Sequence, residues 1–130
     1  MIDRLPDHDD PNDQIGPYYG TAGLRRRLGI SRQAISQRVD RNTLLGVEAD
    51  DGSILYPVFQ FTADMAVLDG LPSVLKELHR VAEDGFSKAV WLTTPDDNLG
   101  GRTAIEWLRE IGDVSCLVAD ARADVERLIA

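Results

Sequence analysis

The stretch LGISRQAISQRV, residues 28–39, carries side chains with the chemistry to bind nucleic acid. It contains arginine, glutamine and serine, and it contains no aspartate or glutamate. Arginine can donate two hydrogen bonds to the acceptor edge of guanine, and glutamine can pair with the donor and acceptor on the edge of adenine. Arginine also neutralises backbone phosphates. The stretch could therefore form hydrogen bonds to base edges and to the DNA backbone.

Charge is unevenly distributed along this chain of 130 residues, whose formal net charge is -8. Residues 20–45 contain six arginines against one acid, a local balance of +5. Residues 1–14 contain five aspartates and one arginine, and residues 46–130 contain sixteen acids against seven basic residues. This separation predicts that one face approaches a polyanion while the remaining surface is repelled by it.

Turn and capping residues predict the two helices that position these side chains. A first helix is expected from Thr21, as its cap, to about Leu28, and Gly29 ends it. Ser31 can cap a second helix from Arg32 to about Arg41. In a helix-turn-helix the second helix enters the major groove and the first crosses the backbone. We therefore predict DNA contacts from Ser31, Arg32, Gln33, Ser36, Gln37 and Arg41, and from Arg25, Arg26 and Arg27 on the first helix.

A short β-hairpin is predicted after the second helix. Leu45 and Val47 are spaced as in a strand, Asp51-Gly52 is typical of a hairpin turn, and residues 54–58 alternate on the return. Pro57 lacks a backbone donor and is expected on an edge strand. The sequence thus predicts an acidic flexible arm over residues 1–17 and a helix-turn-helix with a β-hairpin over residues 18–61.

Residues 66–130 have the apolar spacing of helices. One helix is predicted from residue 71 to its end at Gly85, a short helix before Pro95, and a third that Thr103 and Glu106 begin as a capping box. A last helix carries apolar residues at helical spacing through Leu128. The predicted fold class is mainly α: a helix-turn-helix with a small, wing-like β-hairpin, followed by an all-helical unit.

The segment VWLTTPDDNLGGRTAIEWL, residues 90–108, is the most distinctive in the chain. An apolar helix, a Pro-containing polar loop, Leu-Gly-Gly-Arg-Thr and a helix with tryptophan follow each other in that order. This order resembles the toxin-binding domain of Xre/MbcA/ParS-type antitoxins. The residues that carry the resemblance are Trp91, Leu92, Pro95, Asn98, Leu99, Gly100, Gly101, Arg102, Thr103, Trp107 and Leu108. The chain departs from the family at Ala104, where the family usually has proline.

The resemblance spans roughly residues 18–128 and implies an antitoxin of a type II toxin–antitoxin module. Such a protein binds a co-encoded toxin through its C-terminal domain and represses its own operon through the N-terminal one. The implied toxin is a RES-domain enzyme that consumes NAD, with a PIN-domain ribonuclease as another possibility. The implied toxin-binding residues are Trp91, Leu99, Gly100, Gly101, Arg102, Thr103 and Trp107.

The loop residues alone allow two interpretations. Gly100 and Gly101 could expose backbone N–H groups beside a helix N-terminus, which favours an anion or a carboxylate, and Arg102 would add a charged donor. Alternatively, the loop is a tight turn that joins two helices. Two other functional classes also stay open: a stand-alone helix-turn-helix regulator whose helical unit dimerises or senses a ligand, and a protein-binding adaptor.

Catalysis, cofactor binding and metal binding are not expected. His8 and His79 are the only histidines, and neither belongs to a catalytic set or a metal-ligand spacing. Cys116 lies in the apolar stretch VSCLVA and is predicted in the core. The sequence has no apolar run of about 20 residues that could span a membrane and no signal-peptide pattern, so we expect a cytoplasmic protein. A dimer or hetero-oligomer is expected, because +5 of local charge gives weak DNA binding per copy.

Overall fold

A computed structural model of the chain describes residues 15–129, with side chains described through residue 127. The elements in chain order are β1 (Tyr18–Gly20), α1 (Thr21–Leu28), α2 (Arg32–Asp40), β2 (Val47–Glu48), β3 (Ile54–Pro57), α3 (Leu71–Leu78), α4 (Gly85–Thr93), α5 (Ala104–Glu110) and α6 (Val114–Ile129). Short 3-10 turns cover Val58–Gln60 and Asp97–Leu99. No helix in the described part of the chain is both long and apolar enough to cross a membrane.

The predicted helix-turn-helix is present with nearly the expected bounds. Gly29 ends α1 in the left-handed region at φ 68°, and its N–H donates to the Arg25 carbonyl at 2.8 Å. The Ser31 hydroxyl then accepts a hydrogen bond from the Ala34 N–H at 3.1 Å and begins α2. The predicted cap of α1 is wrong, because Gly20 is the N-cap and the Thr21 hydroxyl donates to the Tyr56 hydroxyl at 3.5 Å.

The sheet contains a strand that the sequence did not predict. Its order is β1-β3-β2, and both pairings are antiparallel. β1 has only three residues, Tyr-Tyr-Gly, which is too short for an alternation pattern to identify. The hairpin of β2 and β3 is confirmed, but β3 is the central strand.

Pro57 therefore lies at the end of a central strand, and its predicted edge position is wrong. On the β1 side the Val58 N–H donates to the Pro17 carbonyl at 2.9 Å, so Pro57 itself needs no donor there. On the β2 side the Gln60 side chain supplies the hydrogen bonds to Leu45 that a residue of a regular strand would make with its backbone. Its Oε1 accepts from the Leu45 N–H at 2.8 Å and its Nε2 donates to the Leu45 carbonyl at 2.9 Å. A buried amide thus satisfies the main chain where proline cannot.

Two hydrophobic clusters hold these elements. The smaller one lies beneath the helix-turn-helix and contains Leu24, Ile35, Leu44, Tyr56 and Phe61. The larger one contains buried residues of both predicted units, including Leu45, Val47 and Leu55 from the hairpin region and the apolar faces of α3–α6. The predicted boundary between residues 61 and 66 therefore does not coincide with a gap in the core.

The N-terminal boundary of the folded part also lies earlier than predicted. Ile15 is only 2% exposed and belongs to the larger cluster, and the Pro17 carbonyl accepts a hydrogen bond from Val58. Residues 15–17, for which the sequence predicts a place in the flexible arm, are thus part of the folded body. The rest of the predicted arm, residues 1–14, lies outside the described residues.

The helical part follows the predicted pattern with two corrections. α3 ends at Leu78, and Gly85 begins α4 instead of ending α3. On α6, among the side chains described through residue 127, the fully buried ones are Leu117, Ala121 and Val125, which lie one turn apart. That spacing places Cys116 on the opposite side, where it is exposed, so its predicted core position is wrong.

The hairpin region and the helical part meet at a buried lysine. Lys88 on α4 is only 6% exposed, and its ammonium group lies 3.0 Å from Asn42 Oδ1, 2.9 Å from His79 Nδ1 and 3.4 Å from the Glu83 carbonyl. Burial lowers the pKa of Lys88, while the carboxylates of Asp84 and Glu83 oppose that shift. One side chain thus connects the segment after α2 with the end of α3 and the start of α4.

Candidate nucleic-acid interface

The outer face of α2 presents two glutamines to solvent. Gln33 and Gln37 are exposed and lie four residues apart, so they project from the same face of the helix. On the opposite face Ile35 is fully buried and Val39 is half-buried against the smaller cluster. Arg41 follows directly after α2 and is exposed. The helix is therefore anchored by its apolar face and leaves an amide-bearing face exposed to solvent.

Arg32, Ser36 and Ser31 occupy different parts of the α2 surface. Arg32 and Ser36 are exposed, but they lie on the edge of α2 that borders a groove of about 1060 Å³. Ser31 is exposed and its hydroxyl accepts the capping hydrogen bond of α2. Of the residues predicted on α2 and its cap, Gln33, Gln37 and Arg41 are thus the ones that face away from the rest of the molecule.

The three arginines of α1 are not equivalent. Arg25 and Arg26 are exposed and line a shallow hollow beside Gly29 and Ser31, next to the start of α2. A phosphate at this hollow would lie near the N-terminus of α2. The Arg27 guanidinium instead lies over the Tyr19 ring, 4.8 Å from its centre, and the residue is half-buried. Arg27 thus differs from its two neighbours in being packed against the sheet.

The hairpin beside α2 is acidic. Glu48, Asp50 and Asp51 are exposed, and Asp51 accepts hydrogen bonds from the backbone and the hydroxyl of Ser53 within the turn. Three carboxylates at this position repel phosphates, so the hairpin does not extend the basic surface. The stretch EADDGS, residues 48–53, contains this signal, which a charge balance over a longer stretch of sequence does not resolve.

The Leu-Gly-Gly-Arg-Thr loop is closed by its own main chain. Gly100 and Gly101 both have positive φ, 68° and 83°. The Gly100 N–H donates to the Asp97 carbonyl at 3.1 Å, and the Gly101 N–H donates to the Asp96 carbonyl at 2.9 Å. Of the two interpretations of this loop, anion binding by these N–H groups is therefore wrong, because both are used within the loop, and the tight turn is the one that the hydrogen bonds support.

The side chains of this loop are likewise engaged within the protein. Arg102 Nε lies 2.9 Å from Glu110 Oε1, and Arg102 Nη1 lies 3.4 Å from the Leu99 carbonyl. The Leu99 side chain is 3% exposed and belongs to the larger cluster. Thr103 and Glu106 form the predicted capping box of α5, with hydrogen bonds of 3.1 and 2.8 Å. Among the predicted toxin-binding residues, Gly100 and Gly101 are the exposed ones.

The two tryptophans are half-buried and hydrogen-bonded. Trp91 Nε1 donates to Asp124 Oδ2 at 2.7 Å, and Trp107 Nε1 donates to the Asp113 carbonyl at 2.8 Å. Both belong to the layer that packs against the larger cluster. Their ring N–H groups are satisfied internally, so any partner would contact them through the exposed parts of the rings.

A pair of carboxyl groups connects the same loop to α6. The side-chain hydrogen bond from Asp120 holds the pKa of Asp96 below its usual value. Partial burial is the main cause that raises the pKa of Asp120, and the side-chain hydrogen bond to Asp96 raises it further. The Asn98 side-chain amide lies 3.4 Å from Asp120 Oδ1 on the same side. The loop is therefore held by polar contacts to α6 as well as by its own backbone.

No known protein-family model matches the chain, and none of the curated proteins matches it in sequence. A solved structure, the NMR structure of Rv2175c, is similar in fold, with a TM-score of 0.73 and 24% sequence identity. The match covers 93% of this chain and 89% of that chain. At this level of sequence identity the similarity shows a shared fold and nothing further. The chain is thus a mainly helical protein with a small three-stranded antiparallel sheet, as the sequence predicted in outline.

Proposed function

We propose that the protein binds DNA through its helix-turn-helix and regulates transcription in the cytoplasm. The observation that carries the proposal is the exposed face of α2, where Gln33 and Gln37 lie one turn apart with Arg41 beside them. Amide side chains at this spacing suit the edges of neighbouring bases in a major groove. Ile35 anchors the opposite face, so the glutamines project from a rigid support.

The arginines of α1 supply the contacts that do not depend on sequence. Arg25 and Arg26 are exposed beside the turn, on the helix that crosses the DNA backbone in this motif. The acidic hairpin limits this basic surface on one side. Because few phosphates are neutralised per copy, the protein binds as a dimer that contacts two half-sites.

The test is DNA binding by a double variant and a matched control. DNA from upstream of the gene, together with a random-sequence pool, is titrated with the protein and followed by fluorescence anisotropy. We expect the double variant Gln33→Ala, Gln37→Ala to lose about 100-fold in affinity for the DNA sequence that the unmodified protein binds most tightly, because each good pair of base contacts contributes roughly 1–3 kcal/mol. Lys76→Ala removes an exposed cation from α3, and this variant should bind normally.

The control also defines the result that would refute the proposal. Both variants change exposed side chains, so far-UV circular dichroism and Tm should match those of the unmodified protein. A folded double variant that binds DNA as tightly as the unmodified chain contradicts the role of α2. An equal loss in Lys76→Ala would show that only bulk charge matters.

We propose antitoxin activity as a second function, and it rests on the sequence resemblance over residues 90–108. Gly100, Gly101 and Asp97 are exposed at the tip of this loop, where a partner protein could contact them. We expect the chain to co-purify with a RES-domain or PIN-domain protein from the neighbouring reading frame. Asp97→Arg should weaken that complex, whereas Glu126→Arg, on the exposed side of α6, should not. Recovery of a homodimer alone would favour the stand-alone regulator.

A further inference from the structure

A groove of about 1060 Å³ separates the helix-turn-helix from the start of α4. α2 forms one wall, β2 and β3 form the floor, and the segment from Glu83 to Phe86 forms the other wall. Phe86 is 55% exposed, and together with Ile111 it makes up the exposed large hydrophobic residues of the described chain. Ile54 and Val39 are half-buried and add apolar surface to the floor and to the α2 wall. A partly apolar groove with an exposed aromatic ring can bind an apolar side chain.

The charged groups around this groove are mostly acidic. Asp40, Glu48, Glu83 and Asp84 line it, against the single cation Arg32. A hydrogen bond from the Ser87 backbone N–H holds the pKa of Asp84 below its usual value, so this carboxylate is ionised at neutral pH. Lys88 lies behind the wall formed by residues 83–86, where its ammonium group is hydrogen-bonded to Asn42 and His79. It offsets part of this charge, but the rim remains negative.

We propose that this groove binds a short segment of a partner protein that carries cationic residues around an apolar anchor. Lysine or arginine side chains of the segment would pair with Glu48 and Glu83 on the rim, and the anchor would pack on Phe86 and Ile54. The complementary charge selects a basic segment, and the aromatic contact supplies the apolar burial. The acidic N-terminal residues of the chain itself have the wrong charge for this site.

An occupied groove would compete with DNA for part of α2. Arg32 and Ser36 line the groove wall, so a bound segment would cover them and leave Gln33 and Gln37 on the adjacent face. Partner binding would then lower DNA affinity, and DNA would lower partner affinity by the same factor. The groove itself does not depend on DNA binding, so it is tested with DNA absent.

The experiment uses a fluorescent dodecapeptide that repeats Arg-Leu-Lys-Phe as the probe for the full chain. Two control peptides are oligolysine of the same length and a version with glutamate in place of each basic residue. We expect the probe to bind at least about tenfold more tightly than oligolysine, because only the probe buries apolar side chains. In ¹H–¹⁵N NMR spectra its chemical-shift changes should centre on Gly46, Ser53 and Phe86.

Matched variants separate the groove from general acidity. Phe86→Ala should weaken the probe about tenfold, and Ile111→Ala, which removes the other exposed apolar side chain, should leave binding unchanged. Glu48→Gln with Glu83→Gln should weaken the probe, and Asp64→Asn with Glu126→Gln should not. All four residues changed to amides are exposed, so the variants should remain folded, which Tm confirms.

Four results would each overturn the proposal. One is equal affinity for the probe and oligolysine, and another is a pattern of NMR shifts centred outside the groove. A third is equal effects of Phe86→Ala and Ile111→Ala. The fourth is self-association of the free chain that Phe86→Ala abolishes in sedimentation experiments, since the occupant would then be a second copy of the chain.

Discussion

The helix-turn-helix and the Pro95–Thr103 loop both carry polar residues that suggest binding, yet the structure uses them differently. On α2 the glutamine side chains point into solvent while the apolar residues anchor the helix. In the loop the glycine N–H groups, the Arg102 side chain and the Thr103 hydroxyl all have partners within the protein. The polar groups of α2 therefore remain available for contacts outside the protein, whereas those named in the loop are used within it.

This comparison predicts opposite outcomes for substitutions in the two regions. Changes at the buried or hydrogen-bonded side chains of the loop should alter stability, because these side chains are part of the folded body. Changes on the exposed side of the helix-turn-helix should alter binding and leave stability within about 0.5 kcal/mol.

Leu99→Ala should have the largest effect. The side chain is buried in the larger cluster, and its truncation leaves a cavity that the neighbouring helices fill only in part. We expect a loss of about 3 kcal/mol in the free energy of unfolding, measured by urea denaturation. A loss below about 1 kcal/mol would mean that the loop is not integrated in the core, and the contrast between the two regions would fail.

Arg25→Ala combined with Arg41→Ala should weaken DNA binding without affecting stability. Both side chains are exposed, and each substitution removes one potential phosphate contact. We expect affinity to fall by a similar factor for every DNA sequence, and the slope of log K against log salt to decrease by about 2. Anisotropy titrations at several salt concentrations measure this slope. An unchanged slope would remove these arginines from the interface.

Thr103→Ala should lower the free energy of unfolding by about 1 kcal/mol, because the Glu106 N–H at the start of α5 loses its hydrogen bond to the Thr103 hydroxyl. Urea denaturation again measures the effect. Thr103→Ser keeps the hydroxyl and should retain most of the stability. Equal stability of Thr103→Ala and the unmodified chain would show that the cap is not needed.

Asp120→Asn should stabilise the protein by less than about 1 kcal/mol at neutral pH, since it removes a partly buried charge and the repulsion between that charge and Asp96, while the site stays partly solvated. The pKa of Asp120 is raised in the folded state, so its protonated form stabilises the fold below the ordinary aspartate pKa. That contribution is lost as pH rises through the folded-state value. The stability difference between variant and unmodified protein should therefore shrink on acidification. A difference that does not change between acidic and neutral pH would contradict the assignment.

Local signals predicted the helices well because their caps and breakers act within a few residues. Gly29, Ser31 and the Thr103–Glu106 pair each lie where the sequence placed them, and each begins or ends a helix through its own backbone or side chain. The apolar spacing of α6 likewise predicted its buried face. Applied to Cys116, that same spacing would have placed the thiol on the exposed side.

The features that were missed depend on contacts between distant residues. Strand β1 exists because Tyr18–Gly20 pair with β3, nearly forty residues further along the chain. Pro57 is accepted in the central strand because Gln60 satisfies the Leu45 backbone across it. Short-range patterns contain neither pairing. The sequence left the role of the loop glycines open for a related reason, since their hydrogen bonds depend on how residues 96–102 fold back on themselves.

The contact between Gly85 and Gly46 has a consequence for how the groove could change in related chains. A methyl group at position 85 would overlap the Gly46 carbonyl oxygen, so α4 and the hairpin touch through backbone atoms. Main-chain contact fixes the position of the α4 wall against the floor of the groove, whereas the side chains of Glu48, Glu83 and Phe86 line its rim. Related proteins could therefore exchange these rim residues and acquire a new specificity while the α4 wall keeps its place on the floor.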